Sequence, residues 1–179
     1  MEKATKIKWV IDPIHSELTF KVRHMMITNV KGQFQDFDVT VDSESNHLEN
    51  AKIDLTIKTV SINTKNEQRD EHLRSSDFFD ASAHPEITFH ATSSTKDGDD
   101  IKLTGDLTIK GVTKSITVDV EFGGLAKDPW GNEKIGYTAT GKINRQDFGL
   151  TWNAALETGG LMVSDEVKFQ ADLQFIVTK

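Results

Sequence analysis

The chain has 179 residues, 36% hydrophobic and 27% charged, which fits one domain over 1–179 with a core of ordinary size. A formal net charge of -7 argues against nucleic acid or an anionic bilayer as the overall partner, because either would repel the chain as a whole, although a local basic patch stays compatible with it. There is no cysteine, hence no disulfide, thiolate metal site or cysteine nucleophile, and no apolar run long enough for a signal-peptide core or a membrane span; the expectation is a soluble, cytoplasmic protein without stable membrane insertion.

Taken in order, residues 16–22 alternate strictly, with Leu18, Phe20 and Val22 on one face and Glu17, Thr19 and Lys21 on the other, the pattern of a strand with one wet side. His24, Met25 and Met26 form a bend, and 29–41 reads as a second strand carrying Phe37, Val39 and Val41. A turn over 43–50 leads to a third strand at 51–60, with Ile53, Leu55 and Ile57. Thr64 followed by Glu67 has the spacing of a capping box, and 65–75 lacks Gly, Pro and β-branched residues, which predicts a helix over 65–75. Leu73 is its only aliphatic residue, so it has no apolar stripe to bury and is expected to lie across the end of something. Strands follow at 85–93, 101–109, 115–122, 133–144 and 166–178, separated by turn chemistry at 96–99, 110–112 and 128–132.

Eight strands, nearly all apolar on a single face, and one polar helix leave the apolar faces only each other to pack against. They form either a sheet closed on itself or two stacked sheets, and the glycines inside strands, Gly32, Gly105, Gly136 and Gly141, favour the barrel as places of sharp bending. An eight-stranded barrel is either filled by its own side chains or holds one small elongated ligand, and periodicity does not separate the two.

Candidate chemistry is sparse. Asp12, His15 and Ser16 invite a hydrolase reading, but they are sequence neighbours with no nucleophile elbow, and a turn in which Asp12 and Ser16 bond nearby backbone accounts for them. No histidine pair has the helical spacing of a zinc motif. On the helix, Asp70 and Arg74 read as a surface ion pair, whereas Arg69 and His72, and Arg145 further on, could present charge to a ligand head group. Trp130, Trp152, Phe78, Phe79 and Phe148 fall in loops, as plugs for the end of a core or as a gasket around an entrance.

The motifs Trp9-x-Ile11-Asp12-x-x-His15-Ser16, Arg69-Asp70-x-His72-Leu73 with Phe78-Phe79-Asp80, Gly105-x-Leu107-Thr108-Ile109-x-Gly111-Val112 and Arg145-x-Asp147-Phe148-Gly149, in that order, resemble the YceI-like family. The resemblance implies an all-β, extended, eight-stranded antiparallel lipocalin-like barrel. Its apolar tunnel would bind a long isoprenoid lipid, a polyisoprenoid phosphate or a quinone, in a carrier or sequestering protein that is often a homodimer and often periplasmic. Tunnel positions on this reading are Phe20, Ile53, Leu55, Phe89, Leu107, Val118, Phe169 and Leu173. Mouth and head-group positions are Arg69, His72, Phe78, Phe79, Arg145, Phe148 and Trp152. Passive capture of this kind needs neither cofactor nor metal; the competing expectation is an enzyme using His15, His24 or His72 as acid or base on an apolar substrate.

Overall fold

Each long strand repeats the same rule: hydrocarbon on one side, polar groups on the other. In 101–109, Ile101, Leu103, Leu107 and Ile109 are buried while Lys102 and Asp106 between them are exposed. A computed structural model of the chain describes residues 7–25, 27–43, 48, 51–98, 100–153 and 163–178. Met26, Asp99 and most of the turn expected at 43–50 lie outside the described residues.

Among the described residues the strands are β1 (Ile7–Ile11), β2 (Glu17–His24), β3 (Thr28–Phe34), β4 (Phe37–Ser43), β5 (Lys52–Lys58), β6 (Ile62–Asn63), β7 (Glu86–Asp97), β8 (Asp100–Ile109), β9 (Val112–Lys127), β10 (Glu133–Asn144) and β11 (Val163–Thr178), with one α-helix, α1 (Glu67–Arg74). All pairings are antiparallel. The order β1-β4-β5-β7-β8-β9-β10-β11 returns to β1, which closes an eight-stranded barrel and removes its edges. β2 and β3 prolong one end of it: both β1 and β2 run against β11, Trp9 opposite Val177 and Leu18 opposite Ala171, so they are two halves of one interrupted strand.

That interruption was not legible as such. A strand at 7–11 was missed, and the single strand expected at 29–41 is broken at Gln35 and Asp36 into β3 and β4, where the chain leaves β2 and joins β1. The helix is shorter than its propensity suggested. Lys65 has a positive φ of 63°, which no helix tolerates, and Asn66 rather than Thr64 caps it, accepting from Arg69 N at 3.0 Å.

One end of the barrel is shut. Trp9, 1% exposed, stacks on Tyr137 with centroids 5.8 Å apart and meets Phe175 edge-on at 5.6 Å, with Ile135 and Val41 also buried there. The indole N–H of Trp9 is buried without an acceptor among the described residues, a cost accepted for the ring's packing. Beside it Asp12 anchors the joint between β1 and β2. Its carboxylate accepts from Ile14 N at 3.2 Å, His15 Nδ1 at 2.9 Å and Lys134 Nζ at 3.1 Å, and its own N–H donates to Gln174 O at 2.8 Å. Asp12, His15 and Ser16 thus form the expected turn, with Ser16 Oγ bonded to the backbone of Gln174.

Strand glycines have a use different from the bends anticipated. Phe20 lies directly across from Gly32, and Phe169 across from Gly141. A Cβ added at Gly141 would sit 2.5 Å from Phe169 Cζ, and one at Gly32 would collide with the Phe20 ring. The rings therefore lie back over bare backbone instead of projecting to the barrel axis. Gly136 is the exception, standing beside a register shift in the β9–β10 ladder.

Two outcomes follow. Gly141→Ala drives the Phe169 ring toward the axis, and urea denaturation should show a loss of about 1–3 kcal/mol together with a smaller interior. Separately, the His15 hydrogen bond first, then Lys134, hold the Asp12 carboxyl below its ordinary 3.8 at about 2, against the opposing push of desolvation. Because the folded value is the lower one, this stabilisation is full above the ordinary value and is lost as pH falls through about 2. After solvent screening it is worth about 1–2 kcal/mol, and Asp12→Asn should flatten that part of the acid unfolding curve.

Candidate functional site

Residues that face inward along the strands enclose a cavity of about 550 Å³. Phe20, Ile53, Leu55, Phe89, Leu107, Val118, Phe169 and Leu173 all line it, drawn from six different strands. Along β11 its wall runs from Val167 through Phe169, Ala171 and Leu173 to Phe175, a span of about 27 Å of strand. Tyr137 is a polar exception deep in this wall: its hydroxyl has no hydrogen-bond partner among the described residues, and burial pushes its pKa up to about 12.

Polar side chains gather at the other end, where α1 lies across the opening. Arg23 and His24 from the end of β2, Asn66, Gln68, Arg69 and His72 from α1 and its cap, and Trp152 after β10 all border the cavity there. His72 is held in an aromatic corner: its ring meets Trp152 at 4.7 Å and Phe78 at 5.1 Å, both edge-on, while its Nε2 donates to Asp77 at 3.0 Å. Phe79 packs edge-on against Phe34 at 5.9 Å.

Arg69 is fixed through Thr64. Its Nε donates to Thr64 Oγ1 and its Nη2 to Thr64 O, each at 2.7 Å, and Thr64 N donates to the buried Asp70 carboxylate at 2.9 Å. This leaves the Nη1 amine of Arg69 without a protein partner among the described residues, beside the cavity. Asp70 is therefore a buried acceptor for the loop before α1; Arg74 pairs instead with Glu71 at 3.0 Å and ties the helix to the carbonyls of Val60 and Ile62.

Three further sequence candidates differ in where the structure places them. Arg145 is 2% exposed, and its guanidinium donates to Ser164 O at 2.9 Å, Leu150 O at 2.5 Å, Trp152 O at 2.8 Å and Val163 O at 3.3 Å, with Asp165 at 3.8 Å. With its N–H groups so directed, it clamps the β10–β11 connection, and it also borders the cavity. Desolvation lowers its pKa, with the Asp165 carboxylate opposing that shift. Phe148 is buried in the turn Arg145–Phe148 and is not part of the cavity wall. Trp130 is 83% exposed on the β9–β10 turn, next to the shut end, and so is no part of an entrance gasket.

A family model for the YceI-like domain matches residues 9–175. The chain belongs to the YceI-like family. It is 45% identical over 172 residues to a UPF0312 protein of Staphylococcus aureus strain N315, covering 96% of this chain and 98% of the other. The YceI protein of Campylobacter jejuni superposes with a TM-score of 0.75 at 37% identity, each chain covered in full. Burkholderia cenocepacia BcnA superposes with a TM-score of 0.77 at 23% identity, covering 92% of this chain and 98% of that one. A polyisoprenoid binding domain from Saccharophagus degradans, implicated in plant cell wall breakdown, does so with 0.72 at 17% identity, covering 95% and 98%. These last two likenesses are of fold.

In this YceI-like barrel, sequence reading found the wall because alternation marks it, and missed much of the rim. His24 reads in sequence as part of a bend and as a candidate acid or base rather than as a rim residue, Arg23 carries no signal of its own, and Asn66 and Gln68 are ordinary helix-start residues. His15 lies outside the cavity with Asp12, whereas His24 and His72 both border its opening. Among the described residues no group of three or more His, Asp or Glu is placed to hold a metal.

Replacing Arg145 by Met removes a fork that four carbonyls depend on. Urea denaturation should show a loss of about 3 kcal/mol or more, and Arg145→Lys should recover only a minor part of it, since one ammonium cannot reach four acceptors.

Proposed function

We propose that this chain binds the tail of a long isoprenoid lipid, with a phosphate or quinone-type head, and acts as a carrier or sequestering protein without catalysis. The observation that carries this reading is the 550 Å³ hydrocarbon-walled cavity, shut at Trp9 and rimmed by polar groups at α1. A void of about 150 Å³ takes one benzene, so this one takes on the order of twenty carbons, or about four isoprene units. A longer tail folds back or leaves part of its length outside.

Magnitudes assign the parts. Each isoprene unit removes on the order of 100 Å² from water, about 2.5 kcal/mol, so four give about 10 kcal/mol gross before ordering and lost translation subtract several. A charged hydrogen bond from the unpartnered Arg69 Nη1 contributes about 1.5–3 kcal/mol. Hydrocarbon thus sets affinity, and the rim sets orientation and choice of head. The polyisoprenoid binding described for the Saccharophagus degradans domain of the same fold agrees with this reading. A carrier is favoured over a hydrolase or isomerase because His24 and His72 stand at the rim, away from the position a buried tail would occupy.

Organic extraction of freshly purified protein, followed by mass spectrometry, should release an isoprenoid lipid. Leu107→Asp and Phe169→Asp should abolish retention, while Arg69→Ala should weaken it by about tenfold or broaden the range of heads accepted. Equal and complete loss in all three, or extracts empty of lipid, would overturn the reading.

A further inference from the structure

The outer surface of the same end carries a charge arrangement that the fold does not require. Lys31 lies opposite Lys21, Lys21 opposite Lys168, and Lys168 opposite Lys142, so one outward row across β3, β2, β11 and β10 consists of four lysines. All four are exposed, and none has a hydrogen bond or ion pair to another described residue. Three strand spacings make the row about 14 Å long. Like charges directly opposite one another destabilise a sheet, and this chain has a net charge of -7, so the row is not a sample of its average surface. The neighbouring outward row away from the opening is uncharged, Gln33, Thr19, Gln170 and Thr140; the one toward it holds Asn29, Arg23 and Asn144, with Glu166 across from Asn144.

One residue further along each strand, Val30, Val22, Val167 and Ile143 face inward and line the cavity near its opening. Strand alternation therefore puts the lysine row outside the cavity's upper wall. The hairpin that joins β2 to β3 then projects beyond it, with Met25 40% exposed and Ile27 73% exposed. Met25 is four residues past Lys21, about 14 Å along the strand and about 10 Å along the axis at ordinary barrel tilt. Apolar groups of interfacial anchors sit about 5–10 Å deep in a bilayer, which leaves the lysines level with the lipid phosphates.

We infer that the β2–β3 hairpin and the row Lys21, Lys31, Lys142 and Lys168 dock the barrel on an anionic lipid bilayer, with Ile27 and Met25 in the interface and the cavity opening toward the lipid. The overall negative charge then limits the contact to this patch and keeps it reversible. An apolar tip is what selects a bilayer over a nucleic acid, which would use the lysines alone. The inference is independent of what occupies the cavity.

Co-sedimentation with vesicles tests it, comparing phosphatidylglycerol mixed equally with phosphatidylcholine against phosphatidylcholine alone, at low salt. The native chain should bind the mixed vesicles and not the neutral ones. Each lysine near the surface contributes about fivefold to partitioning, so the double variant Lys21→Gln, Lys168→Gln should bind about twentyfold less. Ile27→Asp should also lose binding, whereas Lys114→Gln on β9 should not. Both patch variants should keep native melting temperatures, since one change relieves like-charge opposition and the other is on an exposed turn. Failure of the native chain to bind mixed vesicles overturns the inference, as does binding that the double variant or Ile27→Asp leaves unchanged. Equal retention on duplex DNA that is indifferent to Ile27→Asp overturns it in favour of a general polyanion site.

Discussion

Everything in this molecule depends on a one-sided sheet that nothing else among the described residues covers. Eight strand positions each present hydrocarbon on one face, and α1 contributes only Leu73 as an aliphatic partner, so the sheet must close on itself to remove that surface from water. Closure alone would produce a filled core. What keeps the interior vacant is the seating of large rings over glycine: Phe20 on Gly32 and Phe169 on Gly141 occupy the wall rather than the axis. The same hydrophobic demand that folds the chain thereby leaves a hydrocarbon-walled cavity, the feature on which the proposed lipid binding rests.

The two ends solve opposite problems. Trp9, Tyr137 and Phe175 shut one with stacked and edge-on rings, tied by the Asp12 network to the joint between β1 and β2. At the other, α1 lies across the opening and is held by polar contacts, Asn66 capping it, Asp70 and Arg69 pinning Thr64, Arg74 reaching the carbonyls beside β6. Across from it, Arg145 clamps the chain after β10. Charged groups here organise backbone, and among the described residues the Nη1 of Arg69 is left over for something else.

Alternation was the readable signal, and it located the wall of the cavity because a period of two is imposed locally, residue by residue. Rim assembly was not readable, since it joins α1, the end of β2 and the segment near Trp152, which are far apart in sequence. Arg145 and Phe148 share one motif, yet Arg145 borders the cavity while holding backbone and Phe148 is buried away from it, a difference that a motif does not record. The break at Gln35 and Asp36 escaped because apolar residues continue on both sides of it; only the change of partner from β2 to β1 makes two strands of one. Likewise the lysine row is invisible in one dimension: Lys21, Lys31, Lys142 and Lys168 become neighbours through register alone.

A vessel with a sealed floor has a consequence for traffic. Any occupant that has passed α1 must retreat by the way it came, and a newcomer cannot push it out from behind. For the proposed carrier, exchange is then a queue of one, its pace set by how fast the resident departs and not by how much of the next is waiting outside.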